Sequence, residues 1–196
     1  MKVKDLVLYQ VATDRNYKVG DKFYFGNTPN GQELLCKDYS CVENGKPLHQ
    51  TVMEKLNNNE EVDKSTIKQL ASCLSQSDFA IRELALEDVR CEKFPHLPSR
   101  FRCMFLTDKK ELCLAGLKIF PKKGHGKLFQ AIKVKLTGEA FFVRENAIGR
   151  FGLSYNEYKE KALKYWNQKE SEKSVQEILF VGDVEILEIL DEIKIE

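Results

Sequence analysis

The sequence predicts a single α+β domain whose sheet is mixed and mainly antiparallel. Its hydrophobic periodicity runs in the order strands, helices, strands, one helix, strands, without the regular strand–helix alternation of a parallel sheet. The chain has 196 residues, of which 42% are hydrophobic and 31% charged, so it can bury one core and has an ordinary soluble composition. We therefore expect residues 1–196 to form one domain with a helical segment at 47–94.

The first strands are predicted near the N-terminus. DLVLYQVA (5–12) is rich in β-branched and aromatic residues and is bounded by turn residues, which is typical of a short buried strand. GDKFYFG (20–26) has glycine at both ends and is either a second strand or an extended loop.

The helical segment at 47–94 contains three predicted helices. PLHQTVMEKLN (47–57) opens with a proline, which suits a first helical position, and its apolar residues recur every four positions. STIKQLASCLS (65–75) and SDFAIRELALEDVRCEKF (77–94) also have helical spacing, and Pro95 ends the second of them.

The pattern returns to strands after residue 99. RFRCMFL (100–106) alternates and predicts a strand, whereas DKKELCLAGLKIF (108–120) fits either a capped helix or two strands. LFQAIKVKLTGEAFFVRE (128–145) predicts a hairpin that turns at Gly138 and Glu139.

The last part of the chain contains one more helix and two more strands. SYNEYKEKALKYWNQ (154–168) has the S-x-x-E pattern of a capping box and an aromatic stripe that includes Tyr165, which we interpret with Trp166 as core. SVQEILFVGDVEILEI (174–189) predicts two strands joined by a Gly-Asp turn.

Composition and motifs exclude several function classes. Lys and Arg number 31 and Asp and Glu 30, so no overall basic field points to nucleic acid. No glycine-rich phosphate loop, G-x-S-x-G or H-E-x-x-H motif occurs, and the six cysteines and three histidines lack the spacing of a metal site.

The apolar run of about seven residues near the N-terminus is too short for a signal peptide, and no run approaches the roughly 20 residues of a membrane helix. We expect a cytoplasmic protein without a membrane partner.

Three stretches occur in an order that resembles the ADP-ribosyltransferase fold. They are LYQVA (8–12), FPHLPSRFRCMFL (94–106) and SVQEILFVGDVEILEI (174–189). In that family a first strand carries an aromatic residue followed by His or Arg, a middle strand begins with a small hydroxyl-bearing motif, and a late strand opens with the catalytic glutamate. EKFPHLPSRFRCMFL, together with the later ALKYW, also resembles an uncharacterised bacterial and phage family attached to this fold.

The resemblance implies NAD as substrate and a role for five residues. Tyr9 and Gln10 match the first motif, Ser99 and Arg100 match the second, and Glu177 matches the catalytic position. Glu177 is expected to stabilise the oxocarbenium-like charge that develops when the nicotinamide–ribose bond breaks, while the other four bind NAD. Arg100 is expected to bind two oxygen atoms of the NAD pyrophosphate, and an aromatic ring is expected to stack on nicotinamide.

The chain departs from the family pattern at two positions. Gln10 replaces the usual His or Arg, and Val175 replaces the first glutamate of an E-x-E pair, which argues against arginine as the acceptor. Tyr9, Phe23 and Tyr24 are the candidate stacking rings. The competing interpretations are ordinary: Glu177 at a strand end and Gln10 as a satisfied core amide.

The resemblance implies an NAD-dependent ADP-ribosyltransferase or NAD glycohydrolase that transfers ADP-ribose to a macromolecule, protein or nucleic acid, or to water. The alternative is a catalytically inactive module of the same fold that binds a nucleotide or a protein partner. RNA 2′-phosphotransferase chemistry also uses a related fold and NAD, but it needs several basic residues, and only Arg100 and Arg102 are placed for that role.

Overall fold

The computed structural model describes residues 1–38, 40–43, 45–123, 126–143, 152–167 and 177–195. Its elements are, in chain order, β1 (Lys2–Thr13), β2 (Lys22–Phe25), α1 (Gly31–Asp38), β3 (Val42–Glu43), β4 (Lys46–Pro47), α2 (Leu48–Asn57), α3 (Lys64–Lys93), β5 (Met104–Leu106), α4 (Lys110–Ile119), β6 (Leu128–Val143), α5 (Tyr155–Trp166) and β7 (Glu177–Lys194). A single 3₁₀ turn follows α4 at Phe120–Lys123. In the part of the chain that is described, no helix combines the length and apolarity needed to cross a bilayer.

The main sheet has the strand order β1-β6-β7-β2, and β5 also pairs with β7. All of these pairs are antiparallel, and β3 and β4 form a separate antiparallel pair. The strand β5 also reaches β1, because Tyr9 and Thr107 exchange two backbone hydrogen bonds of 2.9 Å. The α+β class and the mainly antiparallel sheet are therefore confirmed, and no parallel pair occurs among the described strands.

Two predicted turns, at Gly138 and Gly182, are wrong, because β6 and β7 each run straight through their glycine. Gly138 lies directly opposite Gly182 in the β6–β7 register. A Cβ atom at Gly138 would lie 2.3 Å from the carbonyl oxygen of Val181, and one at Gly182 would lie 2.5 Å from that of Thr137. Gly182 also has a φ of +143°. The absence of a side chain at these two glycines allows two long strands to approach closely, which is a common role of glycine within a strand.

The helical segment at 47–94 contains two helices rather than three. The helix α2 is confirmed, but the stretches 65–75 and 77–94 belong to the single helix α3, because no Gly or Pro separates them. Asp63 caps α3 by accepting hydrogen bonds from the backbone N–H groups of Ser65 and Thr66.

The remaining helices follow local signals closely. The open choice at 108–120 is settled as the helix α4, and α5 begins with the predicted capping box of Ser154 and Glu157. The predicted strand 100–106 is shorter than expected, since only Met104–Leu106 is a strand and residues 100–103 form a turn.

The core has three parts, two of which contain residues at the start of β7. One face of the sheet buries an apolar cluster that includes Leu8, Ile132 and Ile178. On other parts of the sheet, α3 and α5 cover Leu179 and its neighbours, and α4 covers Phe129 and Ala131. The indole N–H of Trp166 donates a 2.8 Å hydrogen bond to the carbonyl of Leu86, which joins α5 to α3.

Four of the six cysteines are free thiols. Of these, Cys103 and Cys113 are buried and pack as small apolar side chains. Cys41 and Cys73 form a disulfide that ties the chain before β3 to α3. Among the described residues, no group of three or more His, Cys, Asp or Glu side chains is arranged to hold a metal ion.

Candidate functional site

Glu177 opens β7, and two hydrogen-bond donors hold its carboxylate. The Nη1 atom of Arg100 donates to Glu177 Oε1 over 2.5 Å, and the hydroxyl of Tyr165 donates to the same oxygen over 2.8 Å. The Glu177 side chain keeps 14% of its surface exposed. The carboxylate is therefore fixed from inside the protein while part of it still faces solvent.

Arg100 connects Glu177 to a second carboxylate, that of Glu83. Its guanidinium is 2% exposed, donates from Nε to Glu83 Oε2 over 2.8 Å, and lies over the rings of Phe105 and Tyr165 at 4.9 and 5.2 Å. Burial alone lowers the pKa of Arg100, but the charge of Glu83, with Tyr165 and Glu177, raises that pKa well above its ordinary value. Arg100 is therefore a permanent positive charge between two carboxylates.

Glu83 is the fully buried carboxylate of the cluster that it forms with Arg100, Tyr165 and Glu177. Its side chain is 0% exposed, and Arg82 Nη2 lies 2.8 Å from its Oε1 atom. Burial raises the pKa of Glu83, but Arg100 and Arg82 outweigh that effect and hold the pKa below its usual value. Glu83 is therefore ionised in the folded protein, and two arginines compensate the charges of Glu83 and Glu177.

The turn before β5 positions Arg100. The Asn30 side-chain amide donates to the carbonyls of Arg100 and Cys103 over 2.7 and 3.0 Å. The Ser99 hydroxyl donates to Glu87 over 2.8 Å and accepts from the backbone N–H of Phe101 over 3.2 Å. These bonds hold the turn so that the Arg100 guanidinium points inward, and they give Ser99 a local partner.

The first-strand residues Tyr9 and Gln10 lie on opposite faces of β1. Tyr9 packs on the side of the sheet that α4 covers, whereas Gln10 alternates with Leu8 and Ala12, which belong to the other cluster. The Gln10 side chain makes no hydrogen bond to any described residue. Tyr9, rather than Gln10, shares its face with Glu177.

Tyr9 and Glu177 are on the same face because β5 lies between their strands. Thr107, just after β5, bridges to Tyr9, and Leu106 pairs with Ile178. When this register is continued by one residue, Thr107 lies opposite Glu177. Opposite residues in an antiparallel pair point to the same side of the sheet. The segments that carry the three matched motifs meet in this part of the fold.

The other candidate rings lie elsewhere. Phe23 and Tyr24 are on β2, which pairs with β7 from Gly182 onward, and Phe23 stacks on Tyr17 with ring centroids 4.9 Å apart. Val175, the departure from the E-x-E pattern, lies outside the described residues.

Two residues of the cluster, Glu83 and Tyr165, were not predicted as site residues. Glu83 had a signal, since it precedes buried Leu86 and Val89 at helical spacing and so faces the core. Tyr165 was predicted to be a core aromatic, and its burial is confirmed, but nothing in the sequence shows that its hydroxyl reaches Glu177.

The family described as "Protein of unknown function (DUF2441)" matches residues 8–192, a range that includes the second half of β1, all of β5 and the start of β7. No curated protein matches the chain.

Proposed function

We propose that this chain, which belongs to the DUF2441 family, is an NAD-dependent ADP-ribosyltransferase or NAD glycohydrolase with Glu177 as its catalytic carboxylate. It would break the bond between nicotinamide and ribose and transfer ADP-ribose to a macromolecule or to water. The observation that carries the proposal is the meeting of the three matched stretches around β5.

These stretches are distant in sequence but belong to neighbouring strands. Tyr9 of β1 bridges Thr107, and Leu106 of β5 pairs with Ile178, the residue after Glu177. Since neighbouring strands lie about 4.8 Å apart, two spacings separate the backbones of Tyr9 and Glu177 by about 10 Å. That separation suits an aromatic ring and a carboxylate acting on two sides of one nicotinamide riboside.

The proposed chemistry follows from the charge of Glu177. When the ribose–nicotinamide bond breaks, its electron pair leaves with nicotinamide, and positive charge develops on the ribose ring. A fixed carboxylate stabilises that charge, water or an acceptor then attacks the ribose carbon, and the nucleophile releases its proton. Tyr9 would stack on the departing ring. Arg100 was expected on the pyrophosphate, but its bonds to Glu83 and Glu177 favour a role behind the carboxylate.

Two observations favour the alternative, a module of this fold that binds a nucleotide or protein without turning NAD over. The ion pair with Arg100 offsets part of the negative charge of Glu177, and Gln10 faces away from it. Both features would weaken catalysis while leaving a polar, partly exposed surface that could bind a ligand.

The test is nicotinamide release from NAD by the wild type, Glu177→Gln and Glu188→Gln. Glu188 lies on the same strand, and its side chain is 52% exposed, so it serves as the matched control. We expect Glu177→Gln to lose about 100-fold or more of the activity, as for other main transition-state stabilisers, and Glu188→Gln to keep it. If the wild type releases no nicotinamide with or without cell lysate as acceptor, the enzyme proposal fails. Calorimetry with NAD then tests the binding module.

A further inference from the structure

We infer that Tyr165 and Arg100 are positioning residues that orient the Glu177 carboxylate for reaction, with Glu83 anchoring Arg100. The inference rests on the proposed function, because it assigns roles around the carboxylate proposed to act on NAD. It concerns residues from three further elements, namely α3, the turn before β5, and α5.

The two donors converge on one oxygen of Glu177. Both Arg100 and Tyr165 bond to Oε1, and no described residue bonds to Oε2. A carboxylate held at one oxygen cannot rotate freely, and its second oxygen keeps its lone pairs. Oε2 is therefore the atom that would face the ribose and accept a bond from a ribose hydroxyl.

Arg100 is itself fixed from behind. Its Nε and Nη2 atoms both bond to Glu83, at 2.8 and 3.4 Å, which leaves Nη1 directed at Glu177. Because the guanidinium is planar and rigid, its bonds to the buried Glu83 also fix the direction of its bond to Glu177. A lysine has one ammonium group and cannot reproduce this two-sided arrangement.

Aromatic contacts fix the position of the Tyr165 ring. The ring packs edge-on against Trp166 with centroids 4.8 Å apart and against Phe141 at 6.5 Å. A buried hydroxyl is costly unless it is bonded, and here it bonds to both Glu177 and Arg100. The position of α5 therefore sets the direction of the bond to Glu177.

Stability alone gives a poor explanation of this cluster. Apolar residues of similar volume commonly replace a buried ion pair without loss of stability, so the pair is weak evidence of a stabilising role. In this protein the buried groups contact a carboxylate that is partly exposed to solvent, because the Arg100 side chain is 2% exposed and the Glu177 side chain is 14% exposed. An arrangement that holds one partly exposed carboxylate in one orientation is what a reaction needs.

Tyr165 and Cys103 are both uncharged beside the Arg100–Glu177 ion pair. Burial raises the pKa of Tyr165 well above its ordinary value, with the nearby Glu177 charge acting in the same direction, and burial raises the pKa of Cys103. The Tyr165 hydroxyl therefore keeps its proton and donates its hydrogen bond to Glu177 Oε1.

The test compares Tyr165→Phe with Tyr158→Phe. Tyr158 is a buried tyrosine on the same helix, and its hydroxyl bonds to Asp78 at 2.8 Å instead of Glu177. Nicotinamide release is measured over a range of NAD concentrations for both variants and the wild type. For Tyr165→Phe we expect kcat to fall about tenfold with KM unchanged, because the carboxylate is then less well oriented in the transition state. Tyr158→Phe should leave both constants unchanged.

A second readout separates this inference from the proposed function. The chemical shift of the Glu177 carboxyl carbon is measured by NMR at about pH 7 in the wild type and in both variants, without NAD. If the wild type releases no nicotinamide but Tyr165→Phe alone changes this chemical shift, the enzyme proposal fails while the orienting contacts stand. If Tyr165→Phe leaves the chemical shift, kcat and KM as Tyr158→Phe does, the positioning role is wrong.

Discussion

Replacing Arg100 with methionine tests the buried cluster most severely. The variant keeps the length of the side chain but removes the charge between Glu83, which is 0% exposed, and Glu177. Breaking a buried ion pair by removing one partner costs about 3–5 kcal/mol, because a charge is left uncompensated. That is a large part of the roughly 5–15 kcal/mol that stabilises a typical domain. We therefore expect a fall in Tm of about 6–20 °C for a chain of this size.

The measurement is urea unfolding followed by the fluorescence of Trp166, the single tryptophan, which is buried beside the cluster. Lys46→Met is the control, since it removes an ion pair with Glu54 whose side chains are 60% and 58% exposed, and exposed pairs contribute about 0–1 kcal/mol. Adding Glu83→Gln to Arg100→Met should recover part of the loss. If Arg100→Met costs no more than Lys46→Met, the buried network does not form as described.

Two further predictions concern the strand crossing and acid stability. Gly182→Ala should lose about 3 kcal/mol or more, because the new Cβ adds a clash to a φ of +143°. Gly20→Ala has a φ of +91° but open space around the new Cβ, so it should lose only about 1 kcal/mol. Equal losses in urea unfolding would contradict the close approach. The folded pKa of Glu83 is depressed, so its ionisation contributes stability above the unfolded pKa of about 4.3, and that stability disappears as the pH falls through the lower folded value. Glu83→Gln should therefore flatten the loss of urea resistance between pH 5 and pH 3, and an unchanged slope would refute the assignment.

The sequence predicted the elements whose signals are local. The capping box of Ser154 and Glu157 located the start of α5, and a run of β-branched and aromatic residues bounded by turn residues located β1. The dipeptides at Gly138 and Gly182 were misread as turns because a close approach of two strands depends on the partner strand, which one segment cannot reveal. The helix α3 was divided in two because its periodicity is weak near Ser75, where no residue actually breaks a helix.

The site was predictable only in part. Glu177, Arg100 and Ser99 were chosen from matched motifs, and Arg100 does contact Glu177. The contacts with Glu83 and Tyr165 come from the packing of α3 and α5 over β7, which the sequence pattern does not specify. The side of β1 that faces Glu177 depends on the pairing of Tyr9 with Thr107, so the choice between Tyr9 and Gln10 also required the structure.

The most direct test of the proposed activity is a time course of nicotinamide release from NAD by the wild type and Glu177→Gln at equal folded concentration. We expect steady release by the wild type and a rate at least about 100-fold lower for the variant, as for removal of the main transition-state stabiliser. Equal rates in the two proteins, or no release by the wild type in the presence of cell lysate, would contradict it.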